Sequence, residues 1–206
     1  MSFLRRNYYS IEGIKMVLGV LSLQGDYELH VGQLKSLNVD TIKVKTSNDL
    51  INIDGLIIPG GESTTISLLI DKLNLRKALE EYCSKKCVFG TCAGLIMISN
   101  IKDKIVKPLN LISFDLERNA YGRQIDSFTK YIDLEFDRTS KFVANFIRAP
   151  KIKSLNDDDT EVLAYDGNTP ILVKRGNLLG SSFHPEIGND NRIHKYFLKM
   201  INNEKV

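Results

Sequence analysis

Apolar positions along the chain fall into short runs separated by amphipathic stretches. Residues 16–23, MVLGVLSL, form a continuous apolar run that stops at Gln24-Gly25. A run of that length without polar alternation predicts a strand buried on both faces, as parallel strands are. Residues 27–37 carry Leu29, Leu34 and Leu37 at loose helical spacing and predict a helix. Asp40 to Val44 reads as a second strand. Residues 54–61, DGLIIPGG, read as a third, ending at Pro59-Gly60-Gly61. Ser63, Thr64 and Thr65 are placed to cap the helix that follows, with Leu68, Leu69 and Leu73 as its apolar positions. Leu75 to Ser84 predicts another helix, Cys87 to Gly90 a strand, and a further helix begins near Ala93.

Strands alternating with helices predict a parallel sheet covered on both faces. The pattern changes beyond about residue 105. Residues 128–136, 142–150, 160–166 and 169–176 read as short strands joined by turns. They are expected to be antiparallel and to extend or flank the main sheet. Residues 177–186, NLLGSSFHPE, give a last strand, and Ile193 to Ile201 a closing helix. The fold class is therefore α/β. One domain over residues 16–206 holds a mixed, mainly parallel sheet flanked by helices, with an added antiparallel region. Residues 1–15 carry two adjacent arginines but no apolar core of a secretory signal, and read as a disordered extension or an alternative start before Met16. Asp157-Asp158-Asp159 reads as a solvated turn.

Composition narrows the classes. The 206 residues suit one domain, and 43% hydrophobic with 26% charged residues excludes a disordered or collagen-like chain. A net charge of +3 is too small to imply a nucleic-acid face. No apolar run reaches the roughly 18 residues of a membrane helix. Cys83, Cys87 and Cys92 cluster in one short stretch, whereas a disulfide framework would spread them, so a reducing, cytoplasmic compartment is expected. Cys83 and Cys87 lack a second ligand pair at zinc spacing and read as structural; no metal and no cofactor are expected.

The strongest chemical signal is Gly90-Thr91-Cys92-Ala93-Gly94. Glycines on both sides let the backbone form a tight strand-to-helix elbow that presents the thiol. A helix N-terminus favours the thiolate, and the Ala93 N–H can face a developing oxyanion. A lone cysteine is more often a buried core residue. Two other features change that balance. In Ser182-Phe183-His184-Pro185-Glu186, positions two apart in an extended segment share a side, so Glu186 can orient the His184 ring to take a proton from Cys92. His30 and His194 fall on expected helix surfaces. In Pro59-Gly60-Gly61-Glu62-Ser63, the glycines Gly60 and Gly61 allow close approach to a ligand and a second oxyanion donor, although such loops often only turn.

PGGEST (59–64), GTCAG (90–94) and HPE (184–186) resemble the class I glutamine amidotransferases. LQGD (23–26), ERNAYGRQIDSF (117–128) and FIRAP (146–150) narrow the resemblance to the glutaminase subunits of the deoxyxylulose-independent pyridoxal 5′-phosphate synthases. It runs from about Met16 to the C-terminus; Ile187 after HPE, where Leu is common, departs from it conservatively. The resemblance implies a flavodoxin-like fold, Cys92 as nucleophile, His184 as base and Glu186 as its orienting acid. It implies glutamine contacts at Gly61, Glu62, Ser63, Arg118, Ile147 and Arg148. A guanidinium suits the carboxylate of an amino-acid substrate, though a surface ion pair is the plainer reading of either arginine. Gln24 follows the first strand and is implied in sensing the partner; a turn residue is the alternative. The implied partners are L-glutamine and a synthase subunit with a dodecameric core, with no nucleic acid and no membrane. Another class I amidotransferase, serving histidine or nucleotide synthesis, and a non-catalytic protein of this fold are the competing readings.

Overall fold

The computed structural model describes residues 10–11, 14–118, 127–156 and 158–203. The chain opens with a short antiparallel pair, β1 (Ser10–Ile11) and β2 (Ile14–Lys15). Residues 1–9 and 12–13 lie outside the described residues, and so does most of the expectation for the extension. The alternating half follows: β3 (Val17–Leu21), α1 (Tyr27–Ser36), β4 (Asp40–Val44), a 3-10 turn (Ser47–Leu50), β5 (Gly55–Ile58), α2 (Ser63–Lys72), α3 (Arg76–Cys83), β6 (Cys87–Thr91) and α4 (Ala93–Ile98). Then come β7 (Phe114–Glu117), β8 (Phe128–Leu134), β9 (Asp137–Phe146), β10 (Lys151–Leu155), β11 (Glu161–Asp166), β12 (Thr169–Arg175), β13 (Leu178–Ser181) and α5 (Arg192–Ile201).

One seven-stranded sheet runs in the order β11-β12-β13-β6-β5-β3-β4. Every neighbouring pair from β13 to β4 is parallel, and β11, β12 and β13 pair antiparallel. Counted among the parallel strands alone, the order is 2-1-3-4-5, the flavodoxin-like winding. The pleat sorts each strand between two cores. Leu18, Val20, Ile57 and Phe89 face one side, where Leu34 of α1 and Phe197 and Ile201 of α5 cover them. Leu21, Leu56, Ile58 and Val88 face the other, under Ile66 of α2, Leu79 of α3 and Met97 of α4.

The later strands build on both faces. The β8–β9 hairpin adds Phe142 and Phe146 to the first core. β7 and β10, which the apolar pattern did not predict, pair antiparallel and add Phe114 and Ile152 to the second. The α2 prediction needs correcting. Its N-cap is Glu62, whose carboxylate accepts the N–H groups of Thr64 at 3.2 Å and Thr65 at 2.6 Å. Leu68 and Leu73 are exposed, and Ile66 and Ile70 carry the buried face. Asp158 and Asp159 are exposed in a turn; Asp157 lies outside the described residues. No helix among the described residues is long and apolar enough to cross a membrane.

Candidate active site

The C-terminal ends of β3, β5, β6 and β13 converge, and each carries chemistry into the loop that follows. β6 runs into α4 through Cys92, which has φ 49° and ψ −104°. A non-glycine residue holds such a conformation only where its surroundings dictate it. Here the surroundings are two glycines. A Cβ on Gly90 would lie 2.5 Å from the Gly94 carbonyl oxygen, and one on Gly94 would lie 1.9 Å from that of Ile58. Without those side chains α4 closes directly onto β5 and β6. The Cys92 N–H donates to Ser181 of β13 at 2.8 Å, and its thiol faces the Ile147 carbonyl at 3.7 Å.

His184 lies three residues beyond β13. Its N–H donates to the Asn145 carbonyl at 2.8 Å, and its Nδ1 bonds Glu186 Oε1 at 2.7 Å. An ionised carboxylate only accepts, so Nδ1 carries the proton and Nε2 is left for Cys92. Both side chains are buried. Burial opposes the imidazolium, but hydrogen bonds to Cys92 and Glu186 and the Glu186 charge outweigh it and push the His184 pKa up to about 10. Burial also opposes the Glu186 charge, while His30 and His184 beside it favour that charge and hold its carboxyl below the usual range. The other thiols are unlike Cys92 in setting. Burial pushes Cys83 up to about 12 and raises Cys87, leaving both as protonated core groups.

A cavity of about 550 Å³ opens above Cys92 and His184, and Gly61, Glu62, Ser63, Ala93, Arg118, Ile147 and Arg148 all line it. Gly60 lies just beneath, where a Cβ would sit 2.4 Å from His184 Cε1 and 3.4 Å from Cys92 Cβ. Glu186 sits behind the His184 ring. The structure thus gathers every expected site residue, with differing local duties. The Glu62 carboxylate is committed to capping α2, and its N–H donates to Gln24 Oε1 at 2.8 Å. Arg118 is held in place: it donates to Asp103 Oδ2 at 2.6 Å and to Thr64 Oγ1 at 3.3 Å. Arg148 is exposed at φ 47° and makes no ion pair among the described residues. Residues 119–126, the middle of the ERNAYGRQIDSF motif, lie outside the described residues.

Three groups escaped sequence reasoning. Asp26 lines the cavity, with Oδ2 3.9 Å from His184 Nδ1. Its place just after the first strand, at the topological switch point, was the available signal. His30 and His194 are fully buried, correcting their placement on helix surfaces. The spacing gave a hint in each case, since His30 shares a helical face with Leu34, and His194 with Phe197 and Ile201. Asp26, His184 and Glu186 offer three potential metal ligands within 4.8 Å of one another. His184 Nδ1 is already engaged by Glu186, so the cluster is built as a histidine–carboxylate pair with an acidic neighbour.

Comparison with known proteins gives the family. The model of the SNO glutamine amidotransferase family matches residues 20–203. The chain belongs to the SNO glutamine amidotransferase family. Curated relatives include the pyridoxal 5′-phosphate synthase subunit PdxT of Pseudothermotoga lettingae, 47% identical over 188 residues, covering 90% of this chain and 95% of that one. The PdxT of Francisella philomiragia is 47% identical over 183 residues, covering 89% and 98%. A crystal structure of a glutamine amidotransferase superposes with a TM-score of 0.82 at 38% identity, covering 89% of this chain and 98% of that one.

Proposed function

We propose that Cys92, His184 and Glu186 carry the glutaminase reaction of this chain. Family membership makes glutamine hydrolysis its activity, and the PdxT relatives, aligned over almost their whole length, place the ammonia in vitamin B6 synthesis. The observation that carries the residue assignment is Cys92 on its left-handed elbow beside a buried His184–Glu186 pair closed at 2.7 Å.

The side-chain amide carbon of L-glutamine is attacked by the Cys92 sulfur. An imidazolium at His184 supplies the opposite charge that supports a thiolate. Negative charge moves onto the amide oxygen, where the N–H groups of Gly60, Gly61 and Ala93 are the candidate donors. The carbon–nitrogen bond then breaks, His184 gives its proton to the departing nitrogen, and ammonia leaves a glutamyl thioester. Water, deprotonated by His184, attacks the thioester; L-glutamate departs and the thiolate is restored. Glu186 keeps the His184 ring aimed and stabilises its charged form. Arg118 and Arg148, at the cavity wall, pair with the substrate carboxylate. Glu62 contributes by fixing the loop and α2, since both its carboxylate and its N–H are already engaged.

A synthase subunit receives the ammonia. In this reading its core is dodecameric and the complex is cytoplasmic; the support is the sequence resemblance, together with clustered free cysteines. The test is direct. Glutamate release is measured with and without the synthase partner, for the wild type and for Cys92→Ala. Glutamine-dependent release that vanishes in the variant supports the assignment, and release that persists contradicts it.

A further inference from the structure

Two buried histidines have no part in the reaction above. His30 on α1 and His194 on α5 meet at 3.0 Å, Nδ1 of the first against Nε2 of the second. Nε2 of His30 lies 3.2 Å from Thr91 Oγ1 and 3.4 Å from Glu186 Oε2. Thr91 immediately precedes the nucleophile. Glu186 Oε1 is bonded to His184, whereas Glu186 Oε2 and His194 Nδ1 are buried without a hydrogen bond among the described residues. A buried carboxylate is stabilised by polar groups around both oxygens, and His30 Nε2, while bonded to Thr91, is the ring nitrogen that approaches the second one.

Two tautomers of His30 satisfy its bonds to His194 and Thr91, and the Glu186 charge favours one of them. Burial lowers the pKa of His30, and lowers that of His194 to about 3, so both rings are neutral at pH 7. A neutral imidazole donates from one nitrogen and accepts at the other. With the proton on Nε2, His30 donates to Thr91 Oγ1 and sets that N–H 3.4 Å from the Glu186 Oε2 charge. In that tautomer its Nδ1 accepts, which puts the His194 proton on Nε2. Nδ1 of His194 is left bare, matching its lack of a partner. In this arrangement the hydrogen bonds run from His194 to His30 to Thr91, with the His30 N–H beside one oxygen of Glu186 and His184 donating to the other.

We propose that His30, backed by His194, is a positioning residue whose N–H stabilises the charge on the second oxygen of Glu186 and through it fixes the His184 imidazolium beside Cys92. The proposal rests on the triad reading. The charged and titratable groups facing His30 are Glu186, His184, Asp26 and His194. Losing the His30 donor weakens the Glu186 charge, then the imidazolium, then the thiolate it supports.

The test is the pH dependence of Cys92 alkylation by iodoacetamide in the full chain, with peptide mapping to read Cys92 alone. It needs neither glutamine nor a partner. His30→Met, without a donor, should move the midpoint of the rate–pH profile up by about one unit. His30→Gln, which restores an N–H, should move it less than half as far. His194→Met, which removes the group that sets the His30 tautomer, should move it in the same direction. A reactive Cys92 whose midpoint is unmoved in His30→Met, even if the melting temperature falls, overturns the proposal alone and leaves a structural role. If His30→Met does not fold, His194→Met decides on the same terms. A wild-type Cys92 that is unreactive throughout overturns the triad reading and this proposal with it.

Discussion

The side-chain oxygen of Gln24 accepts the backbone N–H of Glu62 at 2.8 Å. Beside it, the Asp26 N–H donates to the Gly60 carbonyl at 3.2 Å. The loop after β3 thus holds the peptides on either side of Gly61, whose φ of 149° favours glycine. An oxyanion hole depends on which way those peptides point. A partner that contacts residues 24–26 can reset them, and it shifts the population only by its differential affinity for the two forms.

We therefore expect the isolated chain to be a poor glutaminase that the synthase activates. kcat for glutamine should rise about tenfold or more with saturating synthase; equal values contradict this gating. Gln24→Ala should lower the activated kcat by up to about 10² while changing the melting temperature by only a few degrees.

The triad residues should not be equally costly to lose. Removing a nucleophile from such a unit costs on the order of 10⁶ in kcat, and we expect Cys92→Ala to approach this with the fold intact. His184→Asn should be nearly as damaging. Glu186→Gln should cost less, because the carboxylate orients and stabilises the base without itself receiving the proton. Steady-state kinetics on folded variants, in the presence of the synthase, give the order.

Two glycines separate folding from catalysis. Gly94→Ala drives a methyl to 1.9 Å from the Ile58 backbone oxygen, which cannot move aside. Overpacking of this kind costs about 3 kcal/mol or more, seen as a large fall in the denaturation midpoint. Gly60→Ala meets the His184 ring at 2.4 Å, and a side chain can swing away. That variant should fold but lose about 10² in kcat, the usual consequence of a displaced catalytic group. A Gly60→Ala protein with wild-type kcat contradicts this packing.

Stability should fall on acidification below about pH 6.5. His30 and His194 are neutral in the fold and take up protons freely only when unfolded. The unfolded state therefore binds more protons between about pH 6.5 and about 3, so unfolding becomes easier as pH drops through that window. Glu186, held low, adds loss of the same sign below the ordinary glutamate range. Denaturant midpoints at pH 7 and pH 4.5 check this. His194→Met should show a shallower acid slope than the wild type, and an unchanged slope contradicts the assignment of that proton.

Much of this was legible in the sequence because the parallel strands are continuous apolar runs bounded by turn residues. β4 falls on the predicted residues 40–44, and β3, β5 and β6 differ from prediction only at their ends. The elbow at Cys92 was legible because glycine on both sides has few other uses. What escaped depended on tertiary context. β7 and β10 are short, and their reason to be strands is each other. The α2 cap was misplaced because the serine and threonine types favoured at caps follow a glutamate that reaches back over the same N–H groups. His30 and His194 were misplaced because a polar side chain on an inward helical face looks costly until its partner, on an element 164 residues away, is seen.

The most direct test of the central assignment is covalent. The full chain is incubated with an alkylating glutamine analogue, with and without excess L-glutamine, and mapped by mass spectrometry. Activity loss should track one label per chain, on Cys92, and glutamine should protect against it. Label on Cys83 or Cys87 accompanying the loss of activity, or full inactivation with Cys92 unmodified, would contradict the account.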